Sequence, residues 1–297
     1  MADEGRTGWE NERKAHFDEI VLAYDKVRPD YPDALIADLI DYIGAARGGV
    51  ATEGKDVRPK PVRPLRALEI GAGTGKATTR LLGAGMLVDA AELGANMCEY
   101  LGGRSRGDPN LRVISSSFEE ADLGDSEYDL VAAASAFHWV DAAVGGPKAH
   151  RVLKVGGTFA LLRYNVLMPG DDPLYERVMA IRWGCCGRHY GYDAGGDGGR
   201  GYPRTAVDFG APSELRRNYG FEDMRSFGFA DVRLSVYEDR PAYRADDYIT
   251  LLETMADYRG LPDPIREEAN GQIKDAIDEA GGSIRAGQVF QLYMGRK

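Results

Sequence analysis

The stretch Ala67-Leu68-Glu69-Ile70-Gly71-Ala72-Gly73-Thr74-Gly75 decides the fold. Residues 65–70 form a short apolar strand that runs straight into glycines, and residues 76–82 continue as a helix. Glycine accepts positive φ and lets the backbone come close to a ligand. The helix start beyond it presents unsatisfied N–H groups to an anionic group. Such a turn suits several nucleotide-like ligands, and its spacing narrows the choice. A dinucleotide fingerprint needs G-x-G-x-x-G. Lys76 stands where the last glycine of that frame belongs, so the frame fails. What remains is G-x-G-x-G at Gly71, Gly73 and Gly75.

Working outward, residues 86–91 read as a second strand that ends at Glu92. A carboxylate at that place can accept hydrogen bonds from both hydroxyls of a ribose. The other reading of Glu92 is a solvated loop acid. Further strands fall at 111–115, 128–134 and 158–162, with helical segments between them. That alternation implies a parallel sheet covered by helices on both faces. Residues 231–237 and 288–294 alternate apolar and polar and bring the strands to seven. The expected fold is α/β: a Rossmann-like, seven-stranded, mostly parallel sheet with an N-terminal cap and a helical cover.

The cap holds a helix from Pro32, with Ile36, Leu39, Ile40 and Ile43 on one face. Residues 44–64, rich in Gly, Pro, Lys and Arg, read as a linker. Beyond the core, 174–182 reads as a helix and 184–201, with eight glycines, as a flexible loop carrying or adjoining Trp183, Tyr190 and Tyr192. Residues 245–258 and 264–280 read as helices, the second stopped by Gly281 and Gly282. The expected division is a cap and linker over 1–62, a cofactor-binding core over 63–163, and a cover with the last strands over 164–297.

The bulk properties exclude some functions. The 297 residues carry a formal net charge of −10, which repels a phosphate backbone and argues against nucleic acid as a partner. No stretch approaches the roughly 18 apolar residues of a membrane span, and residues 1–6 show no signal-peptide core. Cys98, Cys185 and Cys186 form no zinc spacing. The expectation is a cytoplasmic chain with no metal and no membrane partner; the sequence leaves its oligomeric state open.

A resemblance gives these features a chemistry. Glu69-Ile-Gly-Ala-Gly-Thr-Gly75 resembles motif I of class I S-adenosyl-L-methionine (SAM)-dependent methyltransferases. Glu92-Leu93-Gly94-Ala-Asn-Met97 resembles their acid-loop-helix segment, with Gly94 where serine is common. Ser117-Phe118-Glu119-Glu120 matches the stretch after strand three. Leu153-Lys-Val-Gly-Gly157 resembles the turn before strand five, with Val155 in place of proline. Ala136-Phe137-His138-Trp139-Val140 after strand four is similar to the methyltransferase type 11 and trans-aconitate methyltransferase-like branch. So are Tyr24-Asp-Lys-Val-Arg28-Pro-Asp-Tyr31-Pro32 and the Tyr248 to Thr254 segment.

The resemblance implies roles. Gly71, Ala72, Gly73, Thr74 and Gly75 line the methionine part of SAM, and Glu69 orients its ammonium from beneath. Glu92 holds the ribose, with Leu93 and Met97 beside the adenine. Ser117, Phe118 and Glu119 border the adenine, and Ala134 and Ser135 bind the cofactor where strand four leads to the reaction centre. Tyr24 and Arg28 fold over the cofactor's methionine end, and the forked geometry of Arg28 suits it to a carboxylate, the cofactor's own or the substrate's; Arg28 is also a candidate catalytic residue and Tyr24 a candidate for the substrate pocket. His138 is a candidate base, titrating near about 6.5 when unperturbed. Trp139 is a candidate wall for the acceptor, which is expected to be a small molecule. A carboxylate or hydroxyl oxygen is the favoured site of methylation, with nitrogen and carbon as other choices. A SAM-binding protein without turnover and an NAD-dependent oxidoreductase are the alternatives.

Overall fold

A computed structural model describes residue 18 and residues 20–45, 63–167, 170–191 and 224–297. Most of the expected linker, together with Tyr192 and residues 193–201 of the expected glycine loop, lies outside the described residues.

The sheet has seven strands in the order β3-β2-β1-β4-β5-β9-β6. They are β1 (Arg66–Ile70), β2 (Leu87–Glu92), β3 (Leu111–Ser115), β4 (Tyr128–Ala134), β5 (Leu153–Val166), β6 (Ala230–Asp239) and β9 (Gln288–Arg296). β1 pairs in parallel with β2 and β4, β2 with β3, and β4 with β5. β1 and β4 are buried along nearly their whole length, as strands covered on both faces must be. The expected seven-stranded, mostly parallel α/β fold is what forms.

The helices follow from their buried faces. α1 (Val21–Val27) precedes α2 (Asp33–Ala45), which buries Leu35, Ile36, Leu39, Tyr42 and Ile43. α3 (Lys76–Gly83) follows β1, α4 (Ala95–Arg104) follows β2, and α5 (Ala142–Val152) precedes β5. Later come α6 (Pro173–Tyr190), α7 (Ala245–Glu253), α8 (Ala256–Arg259) and α9 (Asp263–Glu279). A two-stranded sheet of β7 (Ala242–Arg244) and β8 (Ser283–Arg285) was not legible beforehand.

Three expectations need correction. The helix expected over 174–182 runs on to Tyr190, where Gly191 at φ +74° caps it. Gly184 and Gly187 cost roughly 1 kcal/mol each in a helix. Burial of Val178, Met179, Trp183, Cys185 and Cys186 along the same helix outweighs that cost. Trp183 and Tyr190 are therefore helical rather than on a loop; Trp183 packs into a core, and the Tyr190 hydroxyl donates to the Asp257 carbonyl at 2.8 Å. The single helix expected over 245–258 breaks at Thr254 and Met255 into α7 and α8. β5 starts at Leu153, ahead of the expected 158, and its register with β4 shifts between Tyr128 and Leu130.

The chain forms two compact units. The first takes in the described residues of Met1–Pro29, Tyr164–Ala211 and Val236–Val289, the second those of Asp30–Arg163, Pro212–Ser235 and Phe290–Lys297. Strands β5, β6 and β9 have residues in both. The second unit has a core of Leu68, Ile70, Phe118, Val131, Phe137, Phe159 and their neighbours. The first has its own, built on α6, α7 and α9 with Tyr175, Tyr248, Tyr258 and Ile273.

Within the second unit, β2 is tied down by Asp89. Burial pushes its carboxyl up, but hydrogen bonds from Arg112, Tyr128 and Arg66 outweigh that and hold it below the usual carboxylate range. The contacts are 2.9 and 2.8 Å from Arg112, 2.7 Å from Tyr128 and 2.8 Å from Arg66. This ionic knot fixes the strand whose far end carries Glu92.

Candidate active site

The glycine turn leaves β1 at Gly71 and enters α3 at Lys76. Gly71 has φ +64°, and a Cβ placed there would lie 2.6 Å from the Cβ of Ala136. Any side chain at 71 would thus collide with the segment after β4, so glycine is required on two counts. The same proximity sets the turn against the residues that follow β4. Gly73 also has positive φ, +55°, but a Cβ there would meet nothing within 4 Å. Its outer side is open to a ligand.

Glu92, at the end of β2, locks the turn from one side. One carboxylate oxygen accepts from the Gly73 N–H and the other from the Gly94 N–H, both at 2.8 Å. Each oxygen has a second lone pair, so the carboxylate can hold the loop and still accept hydroxyls. Leu93 beside it leaves 53% of its surface exposed, an apolar face next to the acid. Met97 is buried on α4.

Glu69 lies beneath the turn with 1% of its surface exposed. Burial pushes its carboxyl up to about 8; the Thr78 hydroxyl, donating at 2.5 Å, opposes that, and the charge of Glu92 adds to it. A cation arriving above the turn would favour its ionised form.

After β4 the chain turns sharply. Ser135 takes φ +53°, which costs strain in a residue with a side chain. Its N–H donates to the Leu162 carbonyl at 2.8 Å, and its Oγ accepts from the Tyr31 hydroxyl at 3.3 Å. Tyr31 in turn meets Phe290 edge to face at 5.9 Å. A 3-10 turn, Phe137–Trp139, comes next. Phe137 points into the core, while His138 and Trp139 are half-buried with ring centroids 4.9 Å apart.

The stretch after β3 departs from expectation. Phe118 keeps 3% exposure and packs in the core, with the Lys148 ammonium 5.4 Å from its ring. Its ring offers no open face to stack on an adenine. Ser117 accepts from the Glu120 N–H at 3.2 Å, and Glu119 accepts from the Asp141 N–H at 3.1 Å. Ser116 ties this stretch to the acid by donating to the Glu92 carbonyl at 3.0 Å.

Gly71 to Gly75, Glu69, Glu92, Leu93, Met97, Ser117 to Glu119, Ala134, Ser135, His138 and Trp139 thus belong to the second unit. Tyr24 and Arg28 belong to the first. There the Arg28 guanidinium donates to Thr254 Oγ1 at 2.8 Å and to the Thr254 carbonyl at 2.6 Å. Sequence reasoning missed Thr78, Tyr31 as the partner of Ser135, and Thr254 as the partner of Arg28. Tyr31 and Thr254 stood in quoted motifs, but nothing in a motif says which side chain a hydroxyl will meet.

Parallel strands, a ligand-ready glycine turn and an acid at the next strand's end define a Rossmann-like nucleoside-binding unit. Residues 68–161 match the family profile described as methyltransferase domain. The chain is 34% identical over 146 residues to an uncharacterised methyltransferase of Mycobacterium tuberculosis, covering 49% of this chain and 51% of that protein. It therefore spans about half the length of the first curated relatives it matches, at 51%. An uncharacterised methyltransferase of Schizosaccharomyces pombe is 23% identical over 258 residues, 86% of this chain and 85% of that one. A candidate type II methyltransferase structure from Anaeromyxobacter dehalogenans shares the fold at a TM-score of 0.57 and 20% identity, covering 91% of this chain and 97% of that one. Residues 68–161 thus carry a methyltransferase domain.

Proposed function

We propose that the chain is a SAM-dependent methyltransferase acting on a small-molecule acceptor in the cytoplasm, with a carboxylate or hydroxyl oxygen as the favoured target. The observation that carries this reading is Glu92, whose two oxygens brace Gly73 and Gly94 beside an open glycine turn. The residues fit the cofactor: the acid suits ribose hydroxyls, exposed Leu93 suits a base, and buried Glu69 suits an ammonium. Among the described residues no helix is long and apolar enough to cross a membrane. The net charge of −10 disfavours a nucleic-acid acceptor.

SAM, when bound, supplies a methyl group already activated on a sulfonium. The chain's own task is to align and to exclude water, and alignment alone can supply about 7–11 kcal/mol. Glu92 would hold the ribose hydroxyls, and Glu69 would be favoured in its ionised form beside the ammonium. Ser135, held in its strained turn by Tyr31 and Leu162, fixes where the chain after β4 runs beside Gly71. On this reading His138 and Trp139, next along the same stretch, face the acceptor. His138 takes the proton from a hydroxyl acceptor and is idle for a carboxylate.

The test is transfer of labelled methyl from SAM to panels of small carboxylic acids, alcohols, phenols and amines. Label in one of the first three classes is expected. Replacing His138 by Ala should cut transfer to a hydroxyl by about 10²–10⁴-fold and leave transfer to a carboxylate unchanged. No transfer to any panel, with SAM bound, would overturn the reading of turnover.

A further inference from the structure

Two loops of the second unit are joined beside His138 and Trp139, and the joint is Glu119. The residues after β4 form a short arch. Its first foot is Ser135, whose N–H donates to the Leu162 carbonyl at 2.8 Å. The arch itself is the 3-10 turn Phe137–Trp139. It is closed by the Trp139 N–H on the Ala136 carbonyl at 2.9 Å and the Val140 N–H on the Phe137 carbonyl at 3.0 Å. Of its three side chains Phe137 is buried, so only His138 and Trp139 stand partly open. The second foot is Asp141, which starts α5: its Oδ1 accepts from the Ala143 N–H at 2.9 Å and its carbonyl from the Gly145 N–H at 2.7 Å. Gly145 holds the arch close to the helix, since a Cβ there would lie 2.4 Å from Val140 Cγ1 and 3.3 Å from the Phe137 ring.

The Asp141 N–H takes no part in these bonds. It donates to Glu119 Oε1 at 3.1 Å, across to the loop after β3 and 22 residues back along the chain. Glu119 is fixed in turn from α5. The Lys148 ammonium donates to the Glu119 carbonyl at 2.9 Å and to the Ala121 carbonyl at 2.7 Å, and it lies 5.4 Å from the Phe118 ring. At the other end of the same loop the Ser116 N–H donates to the Glu92 carbonyl at 3.0 Å. All of these residues belong to the second unit. A carboxylate accepting from a backbone N–H makes a charge-assisted bond. Helix α5 is already capped by Asp141 and packed through Gly145, so what this bond adds is the position of the arch's second foot.

We infer that Glu119 is a positioning residue: its carboxylate holds the Asp141 foot and thereby sets the pose of His138 and Trp139. It acts through the arch and not by touching the adenine, the role the family resemblance implies for it. That the two rings face a methyl acceptor rests on the methyltransferase reading; the joint between the loops does not.

The experiment compares the whole chain with Glu119→Ala and Glu119→Gln. Deuterium exchange of the Asp141 amide in the free protein reads the bond directly. Acrylamide quenching of Trp139, taken as the difference between each protein and its Trp139→Phe counterpart, reads the pose of the arch. Calorimetry reads the affinity for S-adenosylhomocysteine. In Glu119→Ala, exchange at Asp141 should be about tenfold faster and Trp139 quenching about twofold greater, with S-adenosylhomocysteine affinity within about twofold of the wild type. Glu119→Gln keeps a carbonyl oxygen at the same reach and should restore most of both. Where a compound of the acid, alcohol, phenol and amine panel takes label, kcat should fall in Glu119→Ala with KM for SAM unchanged, and recover in Glu119→Gln. If exchange and quenching respond as expected but the wild type does not bind S-adenosylhomocysteine, the positioning role stands and the methyltransferase reading falls. The proposal is overturned if exchange and quenching in Glu119→Ala match the wild type. It is also overturned if S-adenosylhomocysteine weakens about tenfold or more in Glu119→Ala, because Glu119 would then contact the cofactor. A melting temperature lower by about 10 °C, with Glu119→Gln no better than Glu119→Ala, overturns it as well, because Glu119 would then only brace the fold.

Discussion

The glycine turn of the second unit and the arginine cluster of the first are built in opposite ways. The turn is local: Glu69, Gly71, Gly73 and Thr78 lie within ten residues, and Glu92 arrives at the end of the very next strand. Its geometry is fixed by backbone N–H groups and positive φ, which any chain with those glycines in that order would share. The cluster gathers Tyr24, Tyr164 and Thr254 around Arg28 from three separate stretches of chain. Its geometry depends on side chains brought together by tertiary packing. The difference teaches where generality and specificity sit. The first kind of geometry can be read from one short stretch of sequence; the second exists only once the chain has folded.

The comparison can be broken from either side. The largest effect should come from Gly71→Val. A side chain there meets Ala136 at 2.6 Å in a left-handed backbone, so S-adenosylhomocysteine binding should fall by about a hundredfold or more in calorimetry.

Next in size is Asp89→Ala. Removing the acid leaves Arg66, Arg112 and Tyr128 without their shared partner, and unfolding free energy should drop by about 3 kcal/mol in urea titration.

Glu69→Gln sharpens the electrostatic half of the account. The folded chain keeps a proton on Glu69 up to about 8, while the unfolded chain gives it up near 4.5. Between those values the folded state binds more protons, so the wild type loses stability as pH rises through the window, by at most about 1.4 kcal/mol per pH unit. The Gln variant should lose that slope in denaturant titrations at pH 5 and 8. An unchanged slope would show that Glu69 is ionised throughout.

The smallest change is Tyr31→Phe. It removes the 3.3 Å hydrogen bond to Ser135 and keeps the ring on Phe290, so thermal denaturation should report a loss of about 0.5–1 kcal/mol.

The strands and the turn were legible because a buried parallel strand must be continuously apolar and a glycine turn must be glycine. Lys76 was enough to set aside the dinucleotide frame, and Glu92 could be placed because the strand before it is short and its end is sharp. Helix α6 was misread at its second half, since Gly184 and Gly187 look like loop formers until the burial of Cys185, Cys186 and Trp183 is known. Phe118 was assigned to the ligand because a motif gives an order of residues but not a direction for a ring. Thr254 as the holder of Arg28 lay out of reach, because 226 residues separate the two and neither has a periodicity that ties it to the other.

The most direct test of the central claim is calorimetric titration of the protein with S-adenosylhomocysteine, repeated with Glu92→Ala and with NAD as ligand. The account predicts binding to the wild type, a weakening of about tenfold to a hundredfold when the carboxylate that braces Gly73 and Gly94 is lost, and no response to NAD. Binding of NAD alone, or S-adenosylhomocysteine affinity that ignores Glu92, would contradict it.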